Sequence, residues 1–141
     1  RACPVNGPSI AASGRAAAVA WYTEAGSTPR VNLAWSADAG ASFGAPIRVD
    51  DGRPIGRAEV ELAPDGTVLI IWLERAGNQA EWRVKRIGRD GRPSRRWTLA
   101  TVPASREAGF ARAAVLGRDL FVAWTAPGPQ GGVRIDRLAI R

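Results

Sequence analysis

The sequence has no histidine, one cysteine, one lysine and one tyrosine. The lack of histidine excludes most. It removes Ser-His-Asp and Cys-His catalysis, histidine-ligated zinc and the commonest general acid–base group. Carboxylates, Tyr22, Cys3 and arginines are left to do chemistry, and no metal or cofactor is expected. Cys3 cannot close a disulfide within the chain, so it is expected to pair with a cysteine elsewhere or to stay a buried thiol. Long hydrophobic runs are missing too. The strongly apolar run at residues 68–73 falls far short of the roughly 20 residues of a membrane-spanning helix. Residues 1–15 lack the basic start, apolar middle and cleavage site of a signal peptide, and the chain opens on Arg1 without an initiator methionine. An excised or processed segment is therefore expected.

Charge is plentiful and one-sided. The net charge is +7 and the isoelectric point about 11.3. All but one of the 20 basic residues are arginine, Lys85 being the exception, and they scatter through the chain. A strand-binding or base-reading surface needs a contiguous basic face interleaved with aromatics, so no nucleic-acid partner is expected. The one dense run is residues 85–96, with Lys85, Arg86, Arg89, Arg92, Arg95 and Arg96 against Asp90. It reads as a solvated outer turn, or else as a docking patch for an acidic glycan or lipid headgroup.

Internal repetition decides the fold. Val19-Ala20-Trp21-Tyr22-Thr23, Ile70-Ile71-Trp72-Leu73-Glu74 and Val122-Ala123-Trp124-Thr125-Ala126 are three copies of one pattern. A turn precedes each: Ser13-Gly14, Pro64-Asp65-Gly66 and Gly117-Arg118-Asp119. Before each turn lies an extended stretch opening on Gly7, Gly56 or Gly109. After each tryptophan come a polar loop and an alternating strand, at residues 30–34, 83–87 and 134–138. Short fourth strands are expected at 47–50 and 97–100. The second strand is apolar on both faces, as a strand sandwiched between neighbouring sheets requires, whereas the third alternates. Four-stranded units at this period are propeller blades. A β-sandwich also has short, regularly spaced strands, but it does not account for a tryptophan recurring at one place in each unit. The fold class is all-β: three antiparallel blades in one partial propeller domain over 1–141. They span 5–50, 55–101 and 108–141, the last lacking its outer strand. Three blades leave apolar radial faces open. They call for further blades (six in the parent) or for a second copy completing a ring.

Between the third and fourth strands of the first unit stands Ser36-Ala37-Asp38-Ala39-Gly40-Ala41-Ser42-Phe43. It resembles the Asp-box, Ser-x-Asp-x-Gly-x-Thr-Trp, of sialidases and other BNR-repeat propellers, with Ser42 for Thr and Phe43 for Trp. As a structural turn, it has Asp38 accepting backbone amides, Gly40 at positive φ, and Phe43 plugging the blade. The corresponding turn of the second unit, at residues 88–93, has lost the pattern. Nearly the whole chain, from Cys3-Pro4-Val5-Asn6-Gly7-Pro8 to Phe121-Val122-Ala123-Trp124, also resembles the C-terminal half of bacterial exported proteins labelled exo-α-sialidase. That resemblance implies a periplasmic or secreted bacterial protein.

The resemblance also implies a site: three arginines holding a substrate carboxylate, a Tyr–Glu pair as nucleophile and base, an Asp acid/base, and no required metal. Arg57 and Arg112, on first strands, are the candidate ligand-binding residues, since planar guanidinium forks match a carboxylate. Their places in the repeat differ, and pairing with neighbours such as Glu59 is the competing expectation. Tyr22 stands where the other units carry Leu73 and Thr125, which suggests strand-end packing. Tyr22, Glu24 and Glu74 are the catalytic candidates the resemblance offers, but the full residue set is not met in this chain. The sequence therefore favours a noncatalytic or incomplete binding module for a glycan or other anionic ligand. Part of an exo-α-sialidase-type hydrolase and a protein-interaction scaffold are the two alternatives.

Overall fold

A computed structural model describes residues 7–105, 108, 110–129 and 131–140. Cys3, residues 5 and 6 of the expected first blade, and Gly109 lie outside the described residues. Eleven strands form three antiparallel sheets in chain order. The first sheet holds β1 (Ser9–Ser13), β2 (Ala16–Thr23), β3 (Arg30–Ser36) and β4 (Ile47–Arg48). The second holds β5 (Pro54–Leu62), β6 (Val68–Ala76), β7 (Gln79–Ile87) and β8 (Pro93–Pro103). The third holds β9 (Arg112–Leu116), β10 (Asp119–Ala126) and β11 (Gly132–Ala139). Strands neighbour each other in sequence order within every sheet, the arrangement of propeller blades.

The repeat survives in the register. Trp72 pairs with Arg83 and Trp124 with Arg134, each the first residue of the recurring Arg-Val/Ile step. Trp21 pairs with Asn32, two residues beyond the corresponding Arg30. The outer strands differ from expectation. The first blade keeps only a two-residue fourth strand: the Val49 amide still donates to the Val31 carbonyl, but the Val31 amide goes to the Asp50 carboxylate instead of the facing strand. The second blade's fourth strand runs eleven residues, along the whole of β7.

The apolar run of β6 is buried throughout, its alternate residues serving two cores. Val68, Ile70 and Trp72 pack with Ala58 and Val60 against Ala18, Ala20, Val31 and Leu33 of the first blade. Leu69, Ile71 and Leu73 pack with Trp82, Val84 and Val102 against Ala111, Leu120, Val122 and Ile140 of the third. At roughly 25 cal/mol per Å² of apolar surface removed from water, these inter-blade cores are the main attraction holding the blades together. The first strands stack in turn: β5 lies between β1 and β9, and the Val60 amide donates to Ser9 Oγ at 3.3 Å between β5 and β1.

Antiparallel pairing sorts the connections onto two rims. One rim carries the β2–β3, β4–β5, β6–β7, β8–β9 and β10–β11 connections and the starts of the first strands. The other carries the hairpin turns after β1, β3, β5, β7 and β9.

Candidate functional site

The turn after β3 is held by its own hydrogen bonds. Asp38 accepts from the Ser42 amide at 2.9 Å and from Ser42 Oγ at 2.6 Å, while Ser36 Oγ donates to Asp38 at 2.7 Å and accepts from the Gly40 amide at 2.8 Å. Hydrogen bonds from Ser42, then Ser36, lower the Asp38 pKa to about 2. Gly40 has φ +86°, a left-handed conformation that costs glycine little. Phe43 corrects the sequence reading: it does not plug the blade and is 43% exposed. Chain reversal at Gly44, whose amide donates to the Trp35 carbonyl, carries Phe43 outward, while Trp35 and Ile47 pack on the core. This turn sits on the rim opposite Tyr22, Glu24, Glu74, Arg57 and Arg112.

Those five residues share the other rim but do not form one cluster. Glu74 is only 2% exposed and accepts from Trp72 Nε1 (2.7 Å), the Asp51 amide (3.2 Å) and the Arg53 amide (2.5 Å). With those bonds made inside the blade it faces no ligand, so its place among the catalytic candidates is withdrawn: it is a clamp on the β4–β5 connection.

Arg57 and Arg112 meet over one carboxylate. Arg57 Nη2 lies 3.9 Å from Glu59 Oε2, and Arg112 Nη1 lies 3.5 Å from Glu59 Oε1. The register explains the offset that the sequence shows between the two arginines. Glu59 pairs with Ile71 and Arg112 with Ala123, each one step before its blade's tryptophan, so Glu59 and Arg112 are equivalent. Arg57 lies in an irregularity between Pro54 and Ala58, where β5 inserts extra residues and Gly56 takes φ +68°. Arg57 also lies over the Phe110 ring, 5.8 Å from its centroid. Burial pushes the Glu61 carboxyl up, and the nearby Glu59 charge adds to the effect.

Tyr22 and Glu24 do come together. Tyr22 Oη donates to Glu24 Oε1 at 2.5 Å. They line a cleft of about 400 Å³ with Pro29, Arg53, Gly56 and Arg75. Neither Arg53 nor Arg75 has an ion pair with a described carboxylate. The sequence reading missed both arginines, because it sought guanidinium groups on first strands. Arg53 stands in a connection and Arg75 near the end of a second strand, and only strand ends sharing a rim could have flagged them.

The basic run 85–96 is largely consumed internally. Asp51 takes Arg83 at 2.7 Å, Lys85 at 3.0 Å and Arg96 at 3.2 Å. Arg86 pairs with Asp65, and Arg95 lies over Trp97. Burial raises the Asp51 pKa, but hydrogen bonds from Lys85 and Arg83 outweigh it, and the net shift is downward.

Among solved structures, the chain is similar to a Hadza microbial sialidase, Hz136, with a TM-score of 0.55 and 18% identity over 96% of this chain. The chain has a sialidase-like fold. It spans 32% of that sialidase's length, and at this identity the likeness concerns the fold alone. No family model and no curated protein matches. Among the described residues no group of three or more metal-ligating side chains is assembled. Nor is any helix among them long and apolar enough to cross a membrane. Within the sialidase-like fold, the rim of Tyr22, Glu24, Arg53 and Arg75 is thus the candidate site.

Proposed function

We propose that this chain is a binding module of an exported bacterial protein, taking an acidic glycan through its carboxylate. One observation carries the reading: among the described residues Arg53 and Arg75 line a cleft whose one carboxylate is Glu24, and Glu24 is engaged by Tyr22. Two guanidinium groups without an ion-pair partner among the described residues are matched to an anionic group by charge and by fork geometry. Arg57, which follows the cleft residue Gly56, and Arg112 extend the basic surface towards the first strands, partly neutralised by Glu59. Export and bacterial origin rest on the sequence resemblance.

A second reading, glycoside hydrolysis, is favoured by the Tyr22–Glu24 contact, in which a carboxylate can take the phenol proton. It also needs a carboxylic acid to protonate the leaving group, and among the described residues no aspartate lines the cleft. The binding reading therefore leads.

Titration calorimetry with a sialoside and with the same sugar lacking the sialic acid separates the readings. Binding of the acidic sugar alone, without turnover, is the expected result. Equal affinity for both sugars would overturn the carboxylate reading. Turnover abolished by Tyr22→Phe would replace binding by hydrolysis.

A further inference from the structure

The rim opposite the candidate site carries a cavity of its own, between the second and third blades. About 550 Å³ in volume, it lies between the turn after β5 and the turn after β9. Ala63 and Ile140, both buried, give it an apolar lining with Pro64. Asp65, Arg86 and Arg118 are its charged lining.

Those charges do not balance. Asp65 is engaged at both oxygens: Oδ1 accepts from the Thr67 amide at 3.0 Å and from Thr67 Oγ1 at 2.7 Å, and Oδ2 pairs with Arg86. Hydrogen bonds from Thr67, and then Arg86, hold the Asp65 carboxyl below its ordinary pKa, so it stays ionised and cancels Arg86 alone. Asp119, the carboxylate next to Arg118, is held by Arg137 at 2.8 Å. Arg118 has no ion pair with a described carboxylate.

Arg89 brings another surplus cation to the same turn. A side chain at Gly66, where φ is +78°, would fall on the Arg89 guanidinium, so this glycine leaves the room in which Arg89 lies. Arg89 also has no ion pair with a described carboxylate. Arg86, mostly buried, is fixed in place by Thr67 Oγ1 and the Ile140 carbonyl, each at 3.0 Å.

We propose that this cavity binds a small organic ester of phosphate or sulfate, its oxyanion held by Arg118, Arg89 and Arg86 and its organic part against Pro64 and Ile140. Guanidinium groups on several sides can share the terminal oxygens of a tetrahedral oxyanion, where a carboxylate offers only two. The volume suits one phosphorylated or sulfated sugar ring. Tyr22, Glu24, Arg53 and Arg75 take no part, so this site and the carboxylate-binding rim can fail separately.

NMR titration of the isotopically labelled chain tests it, with glucose 6-phosphate, glucose 6-sulfate, inorganic phosphate, inorganic sulfate and plain glucose at fixed ionic strength. Saturable shifts with both esters are expected at Gly66, Thr67, Gly117 and Arg118, and none with glucose. Arg118→Ala and Arg89→Ala each alter one exposed side chain and should each weaken ester binding by about 10-fold. Arg92→Ala is the control for charge alone: this side chain is 87% exposed on the same rim and outside the cavity lining, so binding should hold. Inorganic ions binding as tightly as the esters would replace the ester by the free anion. No saturation below about 10 mM, shifts centred on Arg53 and Arg75, or a loss as large in Arg92→Ala as in Arg118→Ala would overturn the proposal.

Discussion

Trp72 Nε1 donates to Glu74 Oε2 at 2.7 Å, and the same carboxylate holds the amides of Asp51 and Arg53. The tryptophan that marks the repeat thus anchors the connection leading from the first blade into the second. That connection delivers Arg53 to the cleft and Asp51 to Arg83, Lys85 and Arg96. The third blade has a related bond on another partner, Trp124 Nε1 to Asp136 at 2.6 Å.

Glu74→Ala leaves three donors without their acceptor. A buried group left unpaired costs about 1–3 kcal/mol, so we expect a loss of about 3 kcal/mol or more in urea unfolding with the slope unchanged. Sialoside affinity should fall as well, because Arg53 loses its anchor. Unaltered stability would show that Glu74 is not the clamp.

Glu61→Gln should stabilise the protein at pH 7 by less than ~1 kcal/mol, solvent screening included. Burial and the Glu59 charge raise the Glu61 pKa in the folded state. A carboxyl with a raised folded pKa binds its proton more tightly folded than unfolded, so its ionisation weakens the fold as pH rises through that range. The advantage of the variant should therefore vanish in acid, where Glu61 is already protonated. Chemical denaturation of both proteins at pH 7 and pH 3.5 checks this, and a gain that persists in acid would contradict it.

The Asp38 turn should behave in the opposite sense. Its folded pKa is lowered from 3.8 to about 2, so its contribution is present above the unfolded value and is lost as pH falls through about 2. Carbon-detected NMR titration should place the Asp38 midpoint near 2, and Ser42→Ala should move it towards the ordinary carboxylate value. A wild-type midpoint near 3.8 would show the turn's hydrogen bonds are not made in solution.

Much of the fold was legible in the sequence because burial on both faces leaves an unbroken apolar run. Residues 68–73 could only be a strand between two sheets, and its alternation sorts into the two inter-blade cores. Strand ends were less readable. Pro93 to Arg96 look like a charged turn, yet they join β8 because β7 offers a complete ladder. The site was hardly legible. Arg57 and Arg112 stand at unlike places in the repeat because two residues of irregularity in β5 shift everything before Ala58. Arg53 and Arg75 carry no periodic signal, and only the closure of three sheets onto one rim brings them to Tyr22 and Glu24. Phe43 misled because a motif position says where the chain turns, and not which side the next ring falls on.

The anionic-glycan rim is tested most directly by an NMR titration of the isotopically labelled chain with a sialoside. The account predicts shifts concentrated at Tyr22, Glu24, Arg53, Gly56 and Arg75, with the turn at residues 36–43 on the opposite rim unmoved. It further predicts that Arg53→Ala and Arg75→Ala each weaken binding by about 10-fold or more. Shifts centred on the opposite rim, or affinity retained in the double variant, would contradict it.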